Sequence, residues 1–422
     1  MAVNLLTPIL STRTRSINFF NGRLLAAEDL TTEQQNNRAA HRLLGNAIGD
    51  RVVSGLEVSI SALSNTVANP VIAINQGLAI NRSGTTLLLD SNTEIVLVQP
   101  ATPAATSTTI FQDCAPVQAG PYIAGAGVYL LTIGPAAATE GLAEVSGLNN
   151  SQASCNTKYN TQGVQFRLIP VPLTEDELDD TNHLRNLVAY KCFGTADQTS
   201  FLADPWKTQL TSYGLLDQLR ATQTLTNCDV PLAILYWTAD QGISFIDMWS
   251  VRRAITAQDA VAAGYPLLIG DRHRREAQAE FLQFEDQAQS LLAASSSPSS
   301  VVVDDYFSYL PATGILPVTG NGSLSGFDLG TFFGAHASKD VATIDADRIP
   351  KLLYDGLYEQ PIQLSPSEKV QLYLIWENLQ SVSQGTSNQL VLVFATSALS
   401  YRGIARFGTA KWTLSRFAPR VI

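Results

Sequence analysis

The sequence predicts an α+β protein, mainly antiparallel β and multi-domain, with two longer helices. Three observations predict it. Apolar and polar residues alternate through VVSGLEVSI, PVIAINQGLAI and TTLLLDSNTEIVLV between residues 52 and 98, the period of half-buried strands. In CDVPLAILYWTADQGISFIDMWSVRR, residues 228–253, two β-branched and aromatic runs flank the turn Ala239-Asp240-Gln241-Gly242, which predicts a hairpin. Two segments, ending near Ile48 and Leu291, carry apolar residues at helical spacing. Strand runs joined by short turns outnumber the helical ones, so the sheets are expected to be antiparallel.

Residues 1–25 read as an extended arm ending in a turn at Phe19-Phe20-Asn21-Gly22. Thr31-x-x-Gln34 matches a capping box, and Glu28 and Asp29 suit the positive end of a helix running to about Ile48. Its first turns, Thr32 through Arg38, have no apolar stripe; Ala40, Leu43, Leu44, Ala47 and Ile48 supply one, and His41 falls on that side, semi-buried. A helix polar over half its length is solvated or lies in a wet contact with another chain.

The alternating runs that follow form a compact β-module, and residues 99–126, rich in Ala, Thr, Pro and Gly, read as a loop. Strands are expected at GVYLLTIGP and GVQFRLIPV, around a looser segment at 135–162. TEDELDDTNHLRNLVAYKCFG, residues 174–194, is an acidic loop entering a short helix. Asp179 or Asp180 caps that helix, or the acids hold calcium, although the spacing of an EF-hand loop is missing. In the hairpin, Pro231 starts a strand where a missing N–H is tolerated. Phe245, Asp247, Trp249 and Val251 share one face and Ile246 and Met248 the other; Asp247 is a candidate for a buried ion pair with Arg252 or Arg253.

The second helix covers 271–294, with Ala277, Phe281, Phe284, Ala288 and Leu291 as its stripe and Asp271 as its cap. Arg272, His273, Arg274 and Arg275 then occupy the end where the helix dipole disfavours cations. They face an acidic partner, or form a solvated face balanced by Glu276 and Glu280. SSSPSS, residues 295–300, reads as a flexible break and domain boundary. Beyond it come YFSYLPATGILPV, a Gly-rich loop GNGSLSGFDLGTFFG, and strands at QLYLIWENLQ, NQLVLVFATSA and ARFGTAKWTLSRF. The expected division is an arm and helix at 1–50, a β-rich domain with a small helical insert at 51–270, a helix and linker at 271–300, and a β-rich domain at 301–422.

Net charge is −10 and charged residues are 15% against 45% hydrophobic. That balance describes an ordered protein with extensive buried surface, some of it between subunits, and no nucleic-acid partner. No run approaches the ~18 apolar residues of a membrane span, and MAVNLLTPILSTRTR lacks a basic leader pattern. Synthesis and assembly in the cytoplasm are expected, with no direct membrane insertion.

Walker loop, GxGxxG and HExxH patterns are missing, and GSLSG places Leu324 where a nucleophile elbow needs serine. Four histidines leave little material for acid–base work at neutral pH. Asp345-Ala-Asp347 has no supporting cluster, and His336 sits alone in the Gly-rich loop. The expectation is a protein with no enzymatic activity, cofactor or metal. Five Trp and thirteen Tyr invite a sugar platform, yet Trp237, Trp249, Trp376 and Trp412 fall in expected strands, where core packing explains them. Four cysteines, Cys114, Cys155, Cys192 and Cys228, contain no CxxC pair; a Cys114–Cys155 bridge and buried free thiols both fit.

INFFNGRLLAAEDLTTEQ through VVSGLEVS, the hairpin segment, DDYFSYLPATGILPV and ARFGTAKWTLSRF together span most of the chain. They resemble a family of bacterial proteins encoded with phage-tail-like contractile injection systems. The resemblance implies a structural component at the baseplate end, of crown or cage type. Its partners would be copies of itself and other baseplate, tube or sheath proteins, in a particle either membrane-attached or released. Such a stack needs complementary, non-identical surfaces. Candidate interface residues are Phe19 and Phe20, as an aromatic anchor pair, with Arg23 and Asp29, and the group Arg272, Arg274 and Arg275. The alternatives are that both Phe pack on the protein's own β-module, that the chain is a surface or carbohydrate-binding adhesin-like β protein, or that an unfamiliar enzyme site gathers Asp247, Asp345, Asp347 and His336.

Overall fold

A computed structural model describes residues 17–18, 20–22, 24, 26–62, 65–67, 70–97, 127–144, 155–194, 214–253, 271–319, 326–338, 341–387 and 390–396. The loop expected at 99–126, the strand expected at 405–417 and a Cys114–Cys155 bridge lie outside them.

Helix α1, Ala27–Ile48, starts earlier than the Thr31 box predicts. Asp29, at its third position, accepts the Ala26 N–H at 3.0 Å, and the Thr31 hydroxyl lies inside the helix, donating to Ala27 O at 2.8 Å. An acid one turn upstream therefore decides the start. The helix docks through Gly45. A Cβ there would sit 2.1 Å from the Gly84 carbonyl oxygen, so only glycine lets the backbones meet. Arg42 Nε donates to Ser83 O at 3.2 Å beside it.

Strands β1 (Arg51–Gly55), β2 (Val58–Ile60), β3 (Val71–Ile74), β4 (Gly77–Ile80), β5 (Thr86–Leu89) and β6 (Thr93–Val96) form the expected β-module as two antiparallel sheets, β1-β4-β5 and β2-β3-β6. Four more strands, β7 (Gly127–Glu144), β8 (Cys155–Pro170), β9 (Val230–Thr238) and β10 (Gly242–Asp247), make one antiparallel sheet in the order β10-β9-β7-β8. The hairpin is as predicted. The looser segment at 135–162 is instead a continuation of β7 and β8, paired from Tyr129↔Pro170 to Glu144↔Cys155.

This sheet has two covered faces, which is why every residue of β9 is buried. Leu131, Ile133, Leu235 and Trp237 pack against Leu56, Ile72 and Leu87 of the β-module. Leu130, Ile169, Ile234 and Tyr236 pack against helices α3 (Thr181–Phe193) and α4 (Leu215–Ala221). Before α3 the acidic run is not a loop: Glu175–Asp179 forms a short helix, α2, where Glu177 accepts the Thr174 N–H at 3.0 Å. Asp180 precedes α3 but its carboxylate meets His183 Nδ1 at 2.9 Å rather than capping the backbone. Gly194, at φ +79°, ends α3 in the left-handed region.

Helix α5 (Asp271–Ala294) opens the second core. Strands β11 (Tyr309–Leu310), β12 (Thr313–Val318), β13 (Ala342–Ile344), β14 (Ile362–Gln363), β15 (Val370–Ile375) and β16 (Leu390–Thr396) follow, with helices α6 (Leu329–Phe333), α7 (Ile349–Gly356) and α8 (Trp376–Ser383). The main sheet runs β12-β16-β15-β13, antiparallel except for β13 and β15. One face carries α5, with Phe284 and Ala288 packed on Leu316, Leu372 and Phe394; the other carries Leu352 of α7 on Tyr373 and Val393.

Phe284 and Ala288 share that core with Val301 and Val303, so packing groups α5 with the residues after it. The SSSPSS stretch between them includes a 3₁₀ turn at Pro298–Ser300. The Gly-rich loop also departs from expectation. Asp328 caps α6 by accepting the Thr331 N–H at 2.8 Å, and Phe327, Phe332 and Phe333 are core residues. Trp237 is buried, but Trp249 lies in a turn and Trp376 opens α8, half exposed. Cys192 is a buried free thiol pushed up to about 12 by burial, whereas Cys228 is disulfide-bonded. Among the described residues no helix is long and apolar enough to cross a membrane.

Candidate interaction surface

Because α1 docks by Gly45 and Arg42, its apolar stripe faces solvent. Leu43, Leu44 and Ile48 are exposed, Leu44 to 65%, and so is His41, against the semi-buried expectation. The arm exposes a second apolar group at the other end of α1, about 25 Å from Leu43 at 1.5 Å per residue: Phe20 is 63% and Leu24 92% exposed, on either side of a turn in which Gly22 has φ +89°. Burying one such side chain is worth about 1.5–3 kcal/mol, so the chain forgoes a large favourable term here. Phe20 does not pack on the β-module. Phe19 and Arg23 lie outside the described residues, and the Asp29 carboxylate is engaged at the start of α1.

The expected Arg252/Arg253 pairing of Asp247 is replaced by a more distant partner. Fully buried Asp247 accepts from Arg185 Nε of α3 at 2.9 Å, Gln283 Nε2 of α5 at 3.2 Å, and the Ser250 N–H and hydroxyl at 2.9 and 2.8 Å. Arg185 also pairs with Asp286 and donates to Ser290 Oγ at 3.2 Å. Arg252 instead donates to backbone carbonyls, Leu232 at 3.0 Å, Gly55 at 3.1 Å, and Leu56. Burial lowers its pKa to about 10. The Arg253 guanidinium lies 4.9 Å over the Phe193 ring.

Glu276 and Glu280 are buried, not a solvated counterweight to the arginines. Burial first, and Glu276 second, push Glu280 up to about 8, with Arg253 opposing. Tyr190 OH, His273 Nε2 and Gln283 Oε1 are buried with no partner among the described residues. The seam between α3 and α5 is thus a buried polar joint between the two cores.

The residues expected of an unfamiliar enzyme site are not gathered. His336 is buried between Asp304 Oδ1, at 2.8 Å, and Glu368 O, at 3.0 Å. Asp345 precedes the 3₁₀ turn Ala346–Arg348, and Asp347 lies 3.6 Å from Arg348. Among the described residues no group of three or more His, Cys, Asp or Glu is placed to hold a metal ion.

A cavity of about 250 Å³ opens between α5 and α7, lined by Ala277, Phe281, Thr313, Leu353, Tyr354 and Leu357. Arg274 hydrogen-bonds Tyr354 at its mouth, and the Tyr354 and Tyr358 hydroxyls are 2.9 Å apart. Arg275 is half-buried and has an interaction within the molecule, and the Arg272 side chain lies outside the described residues. The arm group and the arginine group sit on separate cores. Nothing in the sequence marks the cavity, since three distant segments line it. No protein-family model matches the sequence, and no curated protein matches it significantly.

Proposed function

We propose that this protein is a non-enzymatic structural subunit of a phage-tail-like contractile injection system, at or extending from the baseplate as a crown or cage component. It acts by packing against copies of itself and against baseplate, tube or sheath proteins. The observation that carries the reading is the exposed apolar surface of Phe20, Leu24, Leu43, Leu44 and Ile48. Exposed apolar clusters mark interaction sites, and two stand at opposite ends of α1, Phe20 with Leu24 and Leu43 with Leu44 and Ile48. The family resemblance names the assembly; the exposed arm and helix supply the surface it requires.

A C-terminally tagged chain, purified gently from its own cell and imaged by negative-stain electron microscopy, tests the reading. Sheathed rods carrying the tag at one end are the expected result. Tagged monomers in preparations that contain untagged rods would sink it. The adhesin-like alternative would then come forward, with exposed Trp376 and the Tyr354–Tyr358 pair as its sugar-facing aromatics.

A further inference from the structure

We propose that Asp304 is the hub of a proton-operated clamp, in which His183 and His336 hold α3, the turn at Val303–Asp305 and the segment after α6 together only while both rings are doubly protonated. The inference is independent of the assembly reading. Four distances carry it. His183, in the first turn of α3, places Nδ1 2.9 Å from Asp180 Oδ1 and Nε2 2.7 Å from Asp304 O. His336 places Nε2 2.8 Å from Asp304 Oδ1 and Nδ1 3.0 Å from Glu368 O. Asp304 lies in the 3₁₀ turn Val303–Asp305, whose Val303 is buried in the C-terminal core.

All four partners are carbonyl or carboxylate oxygens, which only accept. They need four N–H groups, and two neutral imidazoles supply two. The complete set of bonds therefore holds two extra protons. When a proton leaves, the bond to the carboxylate is the one given up. The Asp180 and Asp304 side chains are 55% and 53% exposed, so water takes the place of the lost donor. Neutral His336 keeps Glu368 O and releases the Asp304 carboxylate, leaving the turn tethered by His183 alone. Neutral His183 keeps Asp304 O and releases Asp180, which stands where a carboxylate can cap α3. Asp180, Asp304 and Asp305 face His183; Asp304 faces His336, with Glu368 and Lys369 beside it, and Lys369 Nζ donates to Ala335 O. Partial burial opposes protonation of His183, but its bonds to Asp180 and the Asp304 carbonyl and the charges of Asp180 and Asp305 outweigh it, raising the pKa above the ordinary 6.5. The α3 arm of the clamp is therefore complete below about pH 6.5 and opens as pH rises through the raised value.

The test follows both rings of the full chain by long-range proton–nitrogen NMR from about pH 5 to 9, with hydrogen exchange measured on the same samples. Each ring should pass from two bound protons to one. The Asp305, Tyr306 and Phe307 amides, bonded to the Val302 and Val303 carbonyls, report on the turn. Their protection, corrected for the intrinsic pH dependence of exchange, should fall about three- to fivefold as His336 loses its proton, the worth of one half-exposed ion pair. Asp304→Asn separates a switch from a strut. Its amide N–H can donate to neutral His336 Nε2, so protection should stay high and flat over the whole range, although Glu280 is unchanged. His183→Gln keeps a donor for Asp304 O and should leave the fall in place. A ring that binds the same number of protons throughout overturns the proposal. So does protection that ignores the His336 titration, or an Asp304→Asn chain whose turn is unprotected at every pH.

Discussion

Removing the Asp247 carboxylate is the sharpest test of how the two cores are joined. In Asp247→Ala, Arg185, about a tenth exposed, keeps as its one anionic partner Asp286, which is 44% exposed and screened by water, beside the Ser290 hydroxyl. Ser250 and Gln283 lose an acceptor at the same time. Breaking a buried pair by deleting one partner costs about 3–5 kcal/mol, because the other charge stays buried. The lost hydrogen bonds belong to the same network and do not add in full. For a core of this size that corresponds to a fall in Tm of roughly 6–20 °C. Calorimetry and urea unfolding read the loss, and the single transition should split in two as the joint between α3 and α5 loosens. Asp286→Ala, at the exposed edge, should cost no more than about 1 kcal/mol. Asp247→Leu combined with Arg185→Met should recover most of the stability lost in the single variant. If Asp247→Ala costs less than about 1 kcal/mol, the value of a surface ion pair, the account of the joint is wrong.

Three further outcomes follow from the same geometry. Glu280 is pushed up to about 8 and Glu285 to about 7, mainly by burial; both hold protons in the folded chain that the unfolded chain releases near the ordinary carboxylate range. The folded state therefore binds more protons between about pH 4.5 and 8, so stability should fall as pH rises across that window, and Glu280→Gln should flatten the profile measured by urea unfolding. Buried Cys192, its thiol raised to about 12, should resist maleimide at pH 8 until the chain unfolds, as mass spectrometry of labelled protein would show. Gly45→Val drives a side chain into the Gly84 carbonyl, so α1 should lose hydrogen-exchange protection while β9 keeps its own.

What could be read from the sequence follows burial. The hairpin at β9 and β10 was legible because its strands lie in a core and its turn carries the right residues. The outer halves of β7 and β8 were not, since Ala138–Leu142 and Thr157–Gly163 are exposed and, apart from Leu142 and Tyr159, carry small or polar side chains with no alternation to see. Helix α6 hid among glycines that made its phenylalanines look like loop residues. The start of α1 was misplaced because Thr31-x-x-Gln34 fits a local rule as well as the Ala26–Asp29 bond that forms. Its stripe was found, but His41 on that side was expected to be semi-buried and is exposed, as hydrophobic spacing does not say which face finds a partner. Of the expected interface residues, Phe20 lies on the exposed surface and Arg274 at the cavity mouth. Asp247 was picked out with the wrong cation, because Arg185 stands 62 positions away in sequence.

The extended pairing of β7 and β8 has a consequence for solubility. β9 accompanies β7 only as far as Ile133, and from there to Glu144 the two strands run on as a ribbon of roughly 35 Å at a little over 3 Å per residue. Among the described residues no further strand pairs with its outer edges, and an open edge is a template on which a stray strand can add. Glu140, bonded to Thr161 at 3.2 Å, and Lys158, over the Tyr159 ring at 5.0 Å, place charge along that template. Charged edges hinder edge-to-edge stacking, and Glu140 and Lys158 place opposite charges where such stacking would begin.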